Sequence, residues 1–207
     1  MENEISYLSE IKRKIFHFLI ILFPIAYLNL SKKEFLTALI PLSIIFIFLD
    51  YQRHHIGFLR KIAHGVFANI LRKHEHNELS GVSYTLISAC IVFSFCPKMI
   101  AINAFTILAI SDSMASLIGR KIKSGGFFEK SIAGTSAFAI SAVLIVIFYG
   151  IYFDQKFYYY LFGFAGVFTS AIIEARPSLL KLNDNLTIPL SYSITVGLFE
   201  MIWIYHF

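Results

Sequence analysis

Charge is scarce in this 207-residue chain: Asp, Glu, Lys and Arg together supply 15% of residues, against about 25% in a soluble protein. Hydrophobic residues make up 57%, with 22 Phe, and the mean hydropathy is +0.69. A soluble globule of this size has too much surface for its volume to hide so much apolar side chain. The same numbers exclude disorder. Cysteine is nearly absent as well. Cys90 and Cys96 lie in one apolar run, which reads as two buried free thiols, with no zinc spacing and no disulfide framework. No small-x-small cleavage site closes the apolar run that follows Lys12-Arg13-Lys14, so that run reads as a retained first span. No internal repeat, low-complexity tract or domain-sized loop interrupts the chain, and a single membrane domain over 1–207 is expected.

What the chain does have is apolar runs of spanning length. A membrane helix needs roughly 17–25 mainly apolar residues. Seven runs qualify or come close: 15–30, 35–49, 82–96, 99–119, 132–153, 157–173 and 188–205, the second and third being short. They are continuous, with no period-2 alternation, so an all-α polytopic bundle is expected. Residues 50–81 are too polar to span. Ile56, Leu59, Ile62, Ala63, Val66 and Ile70 recur there at helical steps, as in an amphipathic helix lying along the interface. Its histidines, His54, His55, His64, His74 and His76, follow no spacing that selects a metal geometry. With seven spans, 14 of the 18 Lys and Arg fall on one side and four on the other. That segregation predicts a cytoplasmic N-terminus and a C-terminus on the opposite face. The net charge of +5 therefore serves topology, and nucleic acid is not an expected partner.

Asp112 is the most informative residue. It lies in the fourth run, about 10 Å below its cytoplasmic end at 1.5 Å per residue. A carboxylate at that depth needs a partner or a polar cavity. Ser116 and Gly119 share its face, and Ser111, Ser113 and Ala115 keep the surroundings small. A structural role, gluing helices together, competes with a chemical one.

Next come Arg120 and Lys121, then Gly125-Gly126, Lys130-Ser131 and Gly134-Thr135. Glycines among basic residues suit a phosphate chain, and Ser131 at a helix start offers either a dipole end or a plain N-cap. The run ending in Lys130-Ser131 lacks the second glycine of a P-loop and follows a span instead of a strand. Glu174, Asp184 and Asn185 fall on the same side of the topology, with Asp184 or Asn185 a possible cap ahead of Pro189. Carboxylates and cations on one face are what a magnesium–polyphosphate complex requires. Ahead of the first span, Glu10, Arg13, Lys14 and His17 form one helical stripe running into the bilayer. Glu78, near the head of the third run, is a further candidate.

These pieces together resemble the CTP-dependent lipid kinases, a family comprising dolichol kinase, phytol kinase and the CTP-using diacylglycerol kinase, with phosphatidate cytidylyltransferase more distant. The matching residues are Glu10-x-x-Arg13-Lys14-x-x-His17, Asp112-x-x-Ala115-x-x-x-Gly119-Arg120, Lys130-Ser131-x-x-Gly134-Thr135, and Glu174 followed by Asp184-Asn185-x-x-x-Pro189. The chain departs from the pattern at Ile122-Lys123, where glycine often stands, and at Ala133, where an acid often does.

The resemblance implies transfer of the γ-phosphate of CTP to the hydroxyl of a diacylglycerol or a polyprenol, dolichol or phytol type of alcohol. On that reading Asp112 and Glu174 are the catalytic carboxylates, and Asp112 and Asp184 hold Mg2+. Gly119, Arg120, Lys121, Lys130, Ser131, Gly134 and Asn185 bind the nucleotide, while Lys14, His17 and Glu78 line the lipid headgroup. A bacterial plasma membrane is the expected location, with the active site facing the cytosol. The rivals are a cytidylyltransferase, attacking the α-phosphate with the same ingredients, and a small ion-coupled transporter using Asp112.

Overall fold

The computed structural model describes residues 13–15, 17–53, 55, 57, 79–122, 124–180 and 182–206. Seven α-helices are described: α1 Leu22–Asn29, α2 Lys32–Gln52, α3 Gly81–Phe95, α4 Lys98–Lys121, α5 Ile132–Tyr152, α6 Phe157–Ala175 and α7 Asp184–His206. A 3-10 turn, Leu19–Ile21, leads into α1, and the backbone around Lys14 and His17 is already helical. Five helices (α2, α4, α5, α6 and α7) are long and apolar enough to cross a membrane, and α3 is a shorter apolar one. The protein is an all-α polytopic membrane bundle. The expected interfacial helix over 50–81 falls mostly outside the described residues.

Helix α4 is the axis of the bundle. Most of its length is buried, and it packs against α1, α5 and α7. The outer helices turn large apolar side chains outward, among them Leu144, Phe148, Phe168 and Ile194, as a lipid-facing surface must. Only the axial position lets α4 carry Asn103, Thr106, Ser111, Asp112 and Ser113 buried at tolerable cost. Asn103 Nδ2 donates to the Tyr159 hydroxyl at 2.7 Å, and Thr106 lies 3.2 Å from the Tyr149 hydroxyl.

Local chemistry sets several boundaries beyond the apolar runs. Helix α2 begins earlier than the run 35–49 because Ser31 and Glu34 form a capping box, Ser31 N–H donating to Glu34 Oε2 at 2.9 Å. It also ends later, and its terminal Asp50 is buried. Helix α7 starts at Asp184 and not near Ile188, and its cap is neither Asp184 nor Asn185. The Asn183 side chain accepts the Asn185 N–H at 3.0 Å instead. Pro189 consequently sits inside the helix. Its missing N–H leaves the Asn185 carbonyl without the usual helical donor, and Ser88 Oγ supplies one at 2.9 Å.

The glycine-bearing basic segment between α4 and α5 is a small antiparallel hairpin, β1 Gly126–Phe127 with β2 Lys130–Ser131. Cys90 and Cys96 are free and half-buried.

Candidate functional site

Hydrogen bonds between helix ends show which termini share one end of the bundle. Asp50, closing α2, accepts the Ser80 N–H at 2.8 Å and the Ser83 hydroxyl at 2.5 Å, both at the start of α3. Asn185, opening α7, donates through Nδ2 to the Gly81 carbonyl at 2.8 Å. The hairpin N–H of Glu129 donates to Ala175, the last residue of α6, at 3.1 Å. Lys14, His17, Asp112, Lys130, Glu174 and Asp184 gather at this end.

Two linked groups make up the site. In the first, Lys14 Nζ forms an ion pair with Asp112 Oδ2 and also donates to the Asp112 carbonyl at 3.3 Å. His17 Nε2 lies 3.1 Å from the same carboxylate oxygen and 3.0 Å from the Leu108 carbonyl. Both neighbours are acceptors, which assigns the imidazole proton to Nε2. Lys14 and Asp112 are each 4% exposed, so the pair is almost wholly removed from water and each charge is strongly stabilised by the other.

In the second group Lys130 Nζ stands 3.0 Å from Glu174 Oε1 and 3.6 Å from Asp184 Oδ2. Burial pulls the Lys130 ammonium toward a lower pKa, but Asp184, Glu174 and Asp112 outweigh it and raise the value above the ordinary one. Asp112 thus lies within the electrostatic reach of Lys130, and the two groups form one field. Glu174 is buried, and its second oxygen, Oε2, has no hydrogen-bond partner among the described residues. No group of three His, Cys, Asp or Glu suited to a metal occurs among the described residues.

Tertiary structure therefore joins Lys14, His17, Asp112, Lys130, Glu174 and Asp184, drawn from four separate stretches of sequence. It treats the other candidates differently. Ser131 Oγ accepts the Gly134 N–H at 3.1 Å and lies 3.3 Å from the Gly119 carbonyl, so it caps α5 and ties it to α4. Asn185 is turned toward α3 by its bond to Gly81. Arg120 and Lys121 are exposed on the last turn of α4. Glu78, Glu10 and Lys123 lie outside the described residues.

Gly119 and Gly134 mark the closest approach of α4 and α5. A Cβ on Gly119 would meet Ser131 Oγ at 2.8 Å and Gly134 Cα at 3.2 Å, the small-residue crossing typical of membrane helices. Gly→Ala normally favours a helix. Here the sign reverses: Gly119→Ala is expected to cost about 1–3 kcal/mol through overpacking, read as a lower melting temperature in detergent.

One polar cluster escaped the sequence reading. Asp50 Oδ1 pairs with Arg53 Nε at 2.9 Å, and Asp50, Arg53, Ser80 and Ser83 are all buried. The available signal was an acid closing an apolar run three residues before an arginine. The cluster fixes α3 against α2, and through Gly81 and Asn185 it sets the start of α7, where Asp184 sits.

Over 198 residues the chain is 35% identical to the uncharacterized protein RP860 of Rickettsia prowazekii, covering 93% of this chain and 96% of that protein. The chain belongs to the family of RP860. It is also 30% identical over 166 residues to the uncharacterized protein MJ1137 of Methanocaldococcus jannaschii, covering 76% of this chain and 77% of that one. Over a smaller share of that protein it is similar to CTP-dependent diacylglycerol kinase 1 of Saccharomyces cerevisiae, at 31% identity over 157 residues, 72% of this chain and 53% of the yeast protein. The Eremothecium gossypii protein of the same name is 29% identical over 148 residues, 68% of this chain and 46% of that protein. The chain spans about half the length of these two kinases. No family model matches it, and no solved structure does.

Proposed function

We propose that this protein is a CTP-dependent lipid kinase of a bacterial plasma membrane, with its site open to the cytosol. One observation carries the reading: two charge groups, the buried Lys14–His17–Asp112 and the partly buried Lys130–Glu174–Asp184, converge at one end of a mainly apolar bundle. The distant likeness to two CTP-dependent diacylglycerol kinases supports the donor and the class of acceptor.

Phosphoryl transfer asks a protein mainly for positioning and charge neutralisation. Lys130 would release its carboxylates in part to meet the nucleotide phosphates, with Arg120 and Lys121 outside it drawing the polyanion in. The lipid hydroxyl would arrive laterally at the depth of Asp112. Lys14 and His17 hold that carboxylate in place, and it would accept the hydroxyl proton.

The donor set suits Mg2+, which is bound through one or two carboxylates plus water and phosphate oxygens. Glu174 and Asp184 would hold it, because Glu174 Oε2 is buried and without a partner among the described residues, whereas Asp112 is committed to Lys14 and His17. The ion would neutralise charge on the phosphate being transferred. Diacylglycerol, a polyprenol, dolichol or phytol each present a single hydroxyl on an apolar body, and any of them meets this requirement.

The test is incubation of purified proteoliposomes with a panel of lipid alcohols and CTP labelled either on the γ-phosphate or in cytidine. Transfer of the γ-label to lipid supports the kinase. Incorporation of cytidine identifies a cytidylyltransferase and overturns the proposal, as does transfer of neither label.

A further inference from the structure

Beside the site, the surface at the Lys130 end is apolar and basic at once. Phe127 and Phe128 at the hairpin and Leu179, Leu180 and Leu182 beyond α6 are all exposed, Phe128 by 58%. Arg120 and Lys121 at the end of α4 and Arg176 after α6 are exposed, and the Arg176 guanidinium stands 5.7 Å over the Phe128 ring. Glu129, the acid in the patch, is turned into a latch: its N–H donates to Ala175 O, and its carboxylate accepts from the N–H and hydroxyl of Ser178. The hairpin is thereby fastened to the end of α6. Phe128 also holds a left-handed backbone (φ 52°), a conformation that favours glycine and marks a side chain required at that place.

The loops carrying this patch join the ends of spanning helices directly, α4 ending at Lys121, α5 starting at Ile132 and α6 ending at Ala175. Loops that join spanning helices this tightly emerge from a bilayer where lipid headgroups meet acyl chains. Aromatic and leucine side chains ringed by arginine and lysine are the complement of an anionic membrane surface, the apolar groups entering the acyl boundary and the cations meeting phosphates.

We propose that the hairpin turn and the segment after α6 form a docking surface for anionic lipid, seated in the interface of the protein's own bilayer. It is independent of the kinase reading. The strained Phe128 is the anchor, Arg176 supplies charge beside it, and the Glu129–Ser178 latch keeps both at a fixed depth next to the Lys130 site.

Fluorescence tests this, because the chain has one tryptophan. In a Trp203→Phe background, Phe128→Trp and, separately, Leu180→Trp each place a single indole in the patch. The proteins are reconstituted in phosphatidylcholine vesicles with or without phosphatidylglycerol, using lipids brominated near the headgroup end of the acyl chain. The expected result is a blue-shifted emission, with about half or more of it quenched by bromolipid in the anionic vesicles and less in the neutral ones. Arg176→Glu beside the Phe128→Trp probe should remove that difference. Emission of a water-exposed indole in both probes, quenched by acrylamide and insensitive to bromolipid, would overturn the docking surface. Equal quenching in neutral and anionic vesicles would overturn its assignment to anionic lipid.

Discussion

Asp112→Asn is expected to lower γ-phosphate transfer by about 100-fold or more, the contribution of a positioned proton acceptor, while leaving membrane insertion intact. Its stability should fall too. The substitution removes the Asp112 charge from beside the buried Lys14 ammonium, and breaking a buried pair from one side costs about 3–5 kcal/mol. The two effects can be separated. Replacing both partners by apolar residues in Lys14→Met/Asp112→Leu removes both charges of the pair, so much of the melting temperature should return. Transfer should not. A double variant that is stable and inactive assigns the Lys14–Asp112 pair to the reaction, and the stability-matched loss in Asp112→Asn assigns the carboxylate. Full transfer by either variant, measured with γ-labelled CTP, would sink that assignment.

Lys130→Met should have the next largest effect. It leaves Glu174 and Asp184 facing each other without the ammonium that now stands 3.0 and 3.6 Å away. Loss of that partner should cost about 1–3 kcal/mol, because a buried acceptor loses its donor. Transfer should fall steeply, with the KM for nucleotide rising. Lys130→Arg restores charge in a different shape and should recover part of both. Adding Glu174→Gln to Lys130→Met relieves the carboxylate repulsion and should raise the melting temperature without restoring transfer.

The pH dependence follows from the raised pKa of Lys130. A group whose folded pKa exceeds its unfolded value contributes fully below the unfolded value. Its contribution is lost as pH climbs beyond the ordinary lysine value of 10.5 and through the raised one. Melting curves of the parent protein should decline across that alkaline window by more than those of Lys130→Met. Equal declines would refute the coupling.

Composition and run length made the fold class readable. Charge at 15% and continuous apolar runs leave few alternatives to membrane helices, and the helices observed lie over the seven runs. The misplaced edges have a common cause. Hydropathy sees only the apolar part of a helix, whereas capping at Ser31 and Asn183 extends it through polar residues. The hairpin was illegible for another reason: two residues per strand are too few to show periodicity, and glycines alone read as flexibility.

The site divides along the same line. The candidate residue types could be picked from the chain because a carboxylate at the depth of Asp112 is costly and a Lys-Ser pair before a span is unusual. Which of them cooperate could not. Gly119, Ser131 and Gly134 look like a phosphate cradle in sequence but form a helix crossing, and Asp50 looked like the end of a span but pins α3 to α2.

Sequence was enough to decide that the chain lives in lipid, how its helices are spaced and that Asp112 demands explanation, because solvent preference is additive along a chain. Pairing had to wait for the folded bundle. Lys14 lies 98 positions from Asp112, and Lys130 lies 44 from Glu174. A charge buried in a membrane is stabilised by whatever packing brings beside it, and that is a property of three-dimensional contact with no local trace in the chain.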